Sequence, residues 1–225
     1  MFKSTIFTPI PNLKKMNILI VGGTGKTGRL LISQGLEEGH CITVMVRKPN
    51  KLKINNPNLK VLKGNVLNLE NVETAVQGQD AVLSALGHKQ FFIKTSILSK
   101  GTMNIIRAME KKEVDRFICI TSLGINESRF RLGLYYTLFV IPVILFFYFR
   151  DKSKQEKLIA QSNLDWTIVR PGQLTNGRKR TNYQHGPNLG SYILTKMISR
   201  ASVAHFLLKN LTSNLYLHKA VGITN

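Results

Sequence analysis

Apolar positions gather into six short runs: "NILIV" at 17–21, "CITVMV" at 41–46, "LKVL" at 59–62, "AVLSAL" at 81–86, "RFICIT" at 116–121 and "DWTIVR" at 165–170. Each is short for a helix, and most of the stretches between them read as helices. Short apolar strands alternating with helices predict a parallel sheet covered on both faces. Helical spacing is clearest from about Thr95 to Lys112, where Ile97, Gly101, Ile105 and Met109 recur every four residues and mark the face laid on the sheet. No internal repeat, low-complexity linker or break in composition divides the chain. A single α/β domain over residues 16–225 is therefore expected.

One stretch departs from this rhythm. Between Arg131 and Arg150, "LGLYYTLFVIPVILFFYF" (132–149) is uncharged, rich in aromatics and interrupted by Pro142. Its length just reaches the lower limit for crossing a bilayer, and its basic flanks suit an interfacial helix on anionic lipid. Threading it through a bilayer, however, would separate strands that share one sheet. The segment is expected to be a substrate-side helix, its apolar face buried in this domain or in a partner subunit as a wall over the substrate site. Peripheral membrane contact through 132–149 and the basic surface stands as the alternative.

Composition adds a strong charge bias: 32 Lys and Arg against 12 Asp and Glu, a net charge of +20 in 225 residues. Such a surface attracts polyanions and anionic lipid non-specifically. The basic residues are spread along the whole chain and no nucleic-acid motif accompanies them, so no specific nucleic-acid partner is expected. Cys41 and Cys119 lie inside apolar runs and read as buried thiols, with neither metal spacing nor a secretory signature. Residues 1–15, with three lysines, two prolines and no apolar core, read as a flexible extension or a misassigned start and not as a secretory signal, with a transit peptide as the alternative. A cytoplasmic protein is expected.

The candidate chemistry begins where the first strand runs into "GGTGKTG" (22–28). Gly22, Gly25 and Gly28 are spaced for a tight turn, a close backbone approach to pyrophosphate and close packing of helix on strand. Thr24, Lys26 and Thr27 fill the loop, and the N–H groups at the helix start would face the anion. A P-loop would need Lys directly after its second glycine with four residues between the glycines, and the spacing fails in either register. About 20 residues on, where an acid would read the 2′-hydroxyl of NAD, stand Arg47 and Lys48, which suit the 2′-phosphate of NADP. "GNV" at 64–66 places Asn65, with Val66, where an amide can reach adenine. Ala85, Leu86 and Gly87 of "SALG" are small or neutral residues where the backbone can approach a cofactor.

These motifs, with "ITSLG", "DKSKQEKLIAQSNLDWTIVRPGQL" and "ISRASVAHFLL", occur in an order and spacing that resembles the atypical short-chain dehydrogenase/reductases. The resemblance is to the small NAD(P)H-binding proteins grouped with NmrA-like proteins and the flavin reductase also called biliverdin reductase B. It covers about residues 17–210. It implies a Rossmann-like, doubly wound parallel sheet, NADP(H) as cofactor and reductase activity, although some members bind the nucleotide as regulators. On this resemblance Gly22, Gly25 and Gly28 form the pyrophosphate turn and Arg47 contacts the 2′-phosphate. Thr121, Ser122 and Pro171 border the nicotinamide. Ser202 stands where the family usually has Asp.

In short-chain dehydrogenases a Tyr-x-x-x-Lys pair lowers the phenol's pKa for proton exchange with a carbonyl, and a serine orients the oxygen. Ser122, Tyr148 and Lys152 offer such a set. The wide gap from Ser122 to Tyr148 and the Phe neighbours of Tyr148 equally fit a packed apolar helix, with Lys152 and Glu156 as a surface pair. His88 follows "SALG" and reads as a loop histidine or a substrate contact; no metal site is expected. Three functions stay open: an NADPH-dependent oxidoreductase acting on a small aromatic or conjugated acceptor such as a flavin or quinone, an NADP(H)-binding sensor or assembly protein, and an epimerase- or dehydratase-like enzyme.

Overall fold

The computed structural model describes residues 14–88 and 90–225. Most of the expected N-terminal extension thus lies outside the described residues; Lys14 and Lys15 are exposed coil. The first half runs β1 (Asn17–Val21), α1 (Lys26–Glu37), β2 (Cys41–Val46), β3 (Leu59–Lys63), α2 (Leu69–Val76), β4 (Ala81–Ser84) and α3 (Ile97–Lys111). Then follow β5 (Arg116–Ile120), a short α4 (Ile141–Val143), α5 (Phe146–Ala160), β6 (Asp165–Pro171), β7 (Gln173–Thr175), β8 (Gln184–Gly186), β9 (Met197–Ser199), α6 (Arg200–Lys209) and β10 (Lys219–Thr224).

Eight strands form the main sheet in the order β3-β2-β1-β4-β5-β6-β10-β8, all parallel except β8 against β10. The chain winds outward from β1 in one direction and from β4 in the other, so a crevice opens between their carboxyl ends. Alternate residues of β1 serve opposite faces. Ile18 and Ile20 pack with Leu31 and Ile32 of α1 and Phe206 and Leu207 of α6, while Leu19 and Val21 pack with Val72, Ile105, Met109 and Ile159 of α2, α3 and α5. Burial on both sides is why the strand is apolar at every position after Asn17.

All six expected strands are present, and the α/β doubly wound class holds. The "AVLSAL" run ends as a strand at Ser84, which leaves Ala85–Gly87 as the loop above it. Of the two thiols, Cys119 is buried, its pKa pushed up to about 12 chiefly by desolvation, whereas Cys41 is only half-buried.

The expected helical wall over 132–149 does not form. Leu132 makes a bridge to Ser191, Gly133 takes a φ of +94°, a π-helical turn covers Tyr136–Val140, and α4 and α5 follow as separate pieces. A residue at positive φ and a proline that lacks an N–H break the run. Nor could one buried face take in a segment that is apolar on every side. Leu132 and Phe149 are buried against Leu123 and Ile125, but Leu134, Tyr135, Leu138, Phe139, Val143 and Phe146 are exposed. No helix among the described residues is long and apolar enough to cross a membrane.

Helix α3 is capped from another helix. Asp151 of α5 accepts the backbone N–H groups of Leu98 (2.9 Å) and Ser99 (3.2 Å) and the Ser99 hydroxyl, while the local N-cap Ser96 makes no side-chain cap. The buried carboxylate thus meets the positive end of the helix dipole. Asp151→Asn, which keeps the volume but removes the charge and one acceptor, is expected to destabilise the fold by about 1.5–3 kcal/mol. Urea unfolding measures this; a midpoint equal to wild type would show that the cap contributes nothing.

Candidate functional site

The site is assembled at the carboxyl ends of β1, β2, β4, β5 and β6. At its centre the glycine turn joins β1 to α1. Gly22 has a φ of +87°, and a Cβ there would lie 2.5 Å from the Ala85 carbonyl oxygen, so the turn sits directly on the chain leaving β4. A Cβ on Gly28 would lie 2.3 Å from the Gly22 oxygen, which explains how closely α1 approaches the turn. The N-cap Gly25 brings no side-chain acceptor, and the first turn of α1 holds no acid. The N–H groups of Lys26, Thr27 and Gly28 have no partner inside the helix. Contrast α2 and α6, whose N-cap residues Asn68 and Ser199 accept from Asn71 and Ser202. Beyond the Gly22 oxygen at 3.2 Å, nothing would meet a Cβ on exposed Gly25 within 4 Å. An open backbone face, unused N–H donors and an exposed Lys26 fit a pyrophosphate.

Arg47 and Lys48 follow β2 on the same side and are exposed; among the described residues neither makes an ion pair. Arg29, not singled out from the sequence, links the two loops. Its guanidinium donates to the Thr24 carbonyl at 3.3 Å and to the Lys51 carbonyl, closing the rim between the glycine turn and the residues after Arg47. Its place directly after Gly28 was the available signal. On the far side, Asn65 uses its carboxamide oxygen locally, accepting from the Leu67 N–H at 3.1 Å, which leaves the amide nitrogen as the group able to donate to a base. Val66 is buried, and its carbonyl accepts from Asn104 of α3 at 3.0 Å.

At the opposite end, Thr121, Ser122 and Pro171 come together. The Thr121 N–H donates to the Val169 carbonyl at 2.8 Å and the Leu123 N–H to the Pro171 carbonyl at 3.0 Å, which extends the β5–β6 pairing past Ser122. The Ser122 hydroxyl donates to the Leu123 carbonyl at 2.8 Å. Tyr148 and Lys152 adjoin, with the ammonium 5.4 Å from the phenol ring centroid. Nothing joins either of them to Ser122 among the described contacts, because Lys152 is buried and donates to the Ile120 carbonyl at 3.2 Å.

Tyr148 is nonetheless close to the crevice. Its hydroxyl would be 3.5 Å from a Cβ on Gly87, and its ring meets His88 edge-on at 4.8 Å and Phe91 at 5.5 Å. His88 is fixed by Thr95, whose hydroxyl lies 3.0 Å from Nε2. Burial holds its pKa below the usual histidine range, with Lys152 adding to the effect and Asp151 opposing it. A neutral imidazole and two aromatic rings therefore line the loop above β4. His88, read from the sequence as a loop histidine or a substrate contact, belongs to this cluster, and so does Phe91, which the sequence did not mark.

The surface pair expected of Lys152 and Glu156 is corrected: both are buried and they do not pair with each other. Glu156 accepts from Arg170 Nε (3.0 Å) and a terminal guanidinium nitrogen (2.7 Å), from the Thr121 hydroxyl (2.6 Å) and from Asn126 (2.7 Å). Gln155 donates to Thr102 at 2.8 Å. The face that α5 turns inward carries Asp151, Lys152, Gln155 and Glu156, and it locks the carboxyl ends of β5 and β6 in place. Among the described residues no His, Cys, Asp and Glu cluster could hold a metal ion.

Several known proteins are similar to this chain. An uncharacterized chloroplastic protein of Arabidopsis thaliana is 28% identical over 73% of this chain and 61% of its own length. The photosystem II assembly factor Ycf39 of Synechocystis is 28% identical over 68% of this chain and 44% of its own. The chain thus spans about half the length of these curated relatives. Among solved structures, a Veillonella parvula short-chain dehydrogenase/reductase in complex with NADP superposes with a TM-score of 0.78 at 18% identity, over 93% of this chain and 94% of the other. ChuY, an anaerobilin reductase from Escherichia coli O157:H7, superposes at 0.76 and 20% identity, over 92% and 96%. These two likenesses concern the fold. A family model extends from Gly22 at the glycine turn to Asn214 beyond α6, residues 22–214, and by that match the chain belongs to the NAD(P)H-binding family.

Proposed function

We propose that this protein is an NADPH-dependent oxidoreductase acting on a small aromatic or conjugated acceptor such as a flavin or quinone. The observation that carries the reading is the aromatic cluster of His88, Phe91 and Tyr148 at Gly87, one strand away from an uncapped glycine turn. Gly25 and the first N–H groups of α1 would bind the pyrophosphate, Arg47 and Lys48 the 2′-phosphate, and Asn65 the base. Thr121, Ser122 and Pro171 would border the nicotinamide. When bound, that cofactor would supply a hydride to the acceptor. The chain's own share is to hold donor and acceptor in contact and exclude water: flat rings stack on a flat acceptor, and positioning in a dry pocket lowers the barrier without a strong acid.

Tyr148 is the residue on which the rival enzyme reading turns. With Ser122 donating to its neighbour's carbonyl, Tyr148 lacks the serine partner that carbonyl reduction uses, and we assign its ring to enclosing the acceptor. Tyr148→Phe is therefore expected to keep turnover within about tenfold, whereas a general acid contributes about 10²–10⁴-fold. Purified protein is offered NADPH with a panel of flavins, quinones and carbonyl compounds. A hundredfold loss in Tyr148→Phe with NADPH affinity intact would replace direct transfer by the carbonyl reductase or epimerase reading. Tight NADPH binding with no turnover of any acceptor would support a nucleotide-binding assembly protein, the role in the name of its relative Ycf39.

A further inference from the structure

We infer that the end of the molecule formed by residues 130–146 and 191–196 is a monotopic attachment site for an anionic bilayer surface. Two segments distant in sequence build it. The Gly133 N–H donates to the Ser191 carbonyl at 2.9 Å, the Leu134 N–H to the Ile193 carbonyl at 3.2 Å, and the Thr195 hydroxyl to the Leu132 carbonyl at 3.0 Å. This stitching sets the exposed side chains of one segment beside those of the other. Val143 is 71% exposed, Ile193 75% and Leu194 69%, and Leu138, Phe139 and Tyr192 each exceed half. A contiguous apolar ridge of this kind marks an interaction surface. Tyr135 and Tyr192 add the amphipathic rings that settle at a headgroup boundary.

Charge identifies the occupant. Arg129, Arg131 and Arg150 flank the first segment and Lys196 ends the second. From Arg129 to the C-terminus the chain holds 14 Lys and Arg against three acids; two of the cations, Lys152 and Arg170, and two of the acids, Asp151 and Glu156, are buried with partners already described. The third, Asp165, begins β6 at the amino edge of the sheet. Most other acids also lie at that edge: Glu37 and Glu38 end α1, Asp80 precedes β4, and Glu110, Glu113 and Asp115 lead into β5. Acids are thus scarce beside the apolar ridge, where the exposed charges are basic, whereas the amino edge carries acids together with basic residues such as Lys111, Lys112, Lys209 and Lys219. Glu127, the exposed acid nearest the ridge in sequence, is held by Arg170 at 2.7 Å.

Apolar and aromatic side chains ringed by cations match a layer that offers hydrocarbon beneath anionic headgroups. A second copy of this chain is the poorer match, since a two-fold interface would set the basic rim against itself.

Flotation of the full chain with vesicles tests the assignment independently of catalysis. The wild type is expected to float, at physiological salt, with vesicles of equal parts phosphatidylcholine and phosphatidylglycerol, and to stay behind with phosphatidylcholine alone. Phe139→Glu and Ile193→Glu are each expected to weaken vesicle binding about tenfold or more. Both sites are exposed, so an unchanged melting temperature and NADPH affinity are expected alongside. Three results would overturn the proposal. Wild type and variants binding equally, and released together by salt, would show adsorption by charge alone. Absence of vesicle binding would exclude the site. A dimer in solution that Phe139→Glu dissociates would make a second copy the occupant.

Discussion

Glu156→Gln is expected to lower stability by about 3–5 kcal/mol, because it removes one charge of a buried pair and strands the other. The substitution keeps the shape of the side chain, but its amide nitrogen can accept nothing. One of two oxygens that now take four hydrogen bonds becomes a donor facing donors. Glu127 still reaches Arg170, yet that carboxylate is 81% exposed and offsets little of the loss. For a chain of this size the change amounts to about 6–20 °C in melting temperature. Chemical denaturation measures it directly, and a loss below about 1 kcal/mol would show that the pair is not structural. Glu156→Gln combined with Arg170→Met should recover part of the loss, since the double variant no longer buries a lone cation. The position matters to the site because Thr121 and Arg170, both bonded to Glu156, set the loop and strand end that would border the nicotinamide.

Arg47→Ala is expected to weaken NADPH binding by about 10- to 150-fold while leaving NADH binding nearly unchanged. A charge-assisted hydrogen bond to phosphate accounts for about 1.5–3 kcal/mol. Arg47 is exposed and, among the described residues, carries no ion pair that its removal would break, so the loss should appear in affinity and not in stability. Calorimetric titration of both nucleotides decides the matter. Equal wild-type affinities for NADPH and NADH, or an unaltered NADPH affinity in the variant, would remove the basis for NADP specificity. Arg29 gives a useful contrast: its guanidinium is committed to the Thr24 and Lys51 carbonyls, so Arg29→Ala should loosen the rim and weaken both nucleotides together.

Much of the proposed cofactor half was legible in the chain itself. Strands buried on both faces must be apolar almost throughout, so β1, β2, β4, β5 and β6 stand out as runs without any knowledge of their neighbours. The glycine turn is made of backbone, and its steric requirements at Gly22 and Gly28 are met by the absence of a side chain, which a local spacing records. The C-terminal strands were less legible. In the last strand of the chain, Lys219–Thr224, three of six residues are glycine or polar, and its pairing with β6 joins residues 52 apart, such as Lys219 and Thr167. The short pair β7 and β9 has three residues a side and almost no pattern to read.

By itself, then, the sequence determined the doubly wound sheet, the place of the glycine turn and the cationic pair after β2, because each follows from local hydrophobicity or local backbone sterics. Tertiary structure decided which polar residues are buried and which apolar residues are not. Asp151, Lys152, Gln155 and Glu156 look like one solvent-facing turn of a charged helix, yet each finds an acceptor, donor or helix end 14 to 53 residues away. Leu138, Phe139 and Val143 look like core but remain outside it. Burial of a polar group is favourable only when a partner is supplied from elsewhere in the fold, and burial of an apolar one only when a face is there to receive it; neither partner nor face is written in the residue's own neighbourhood.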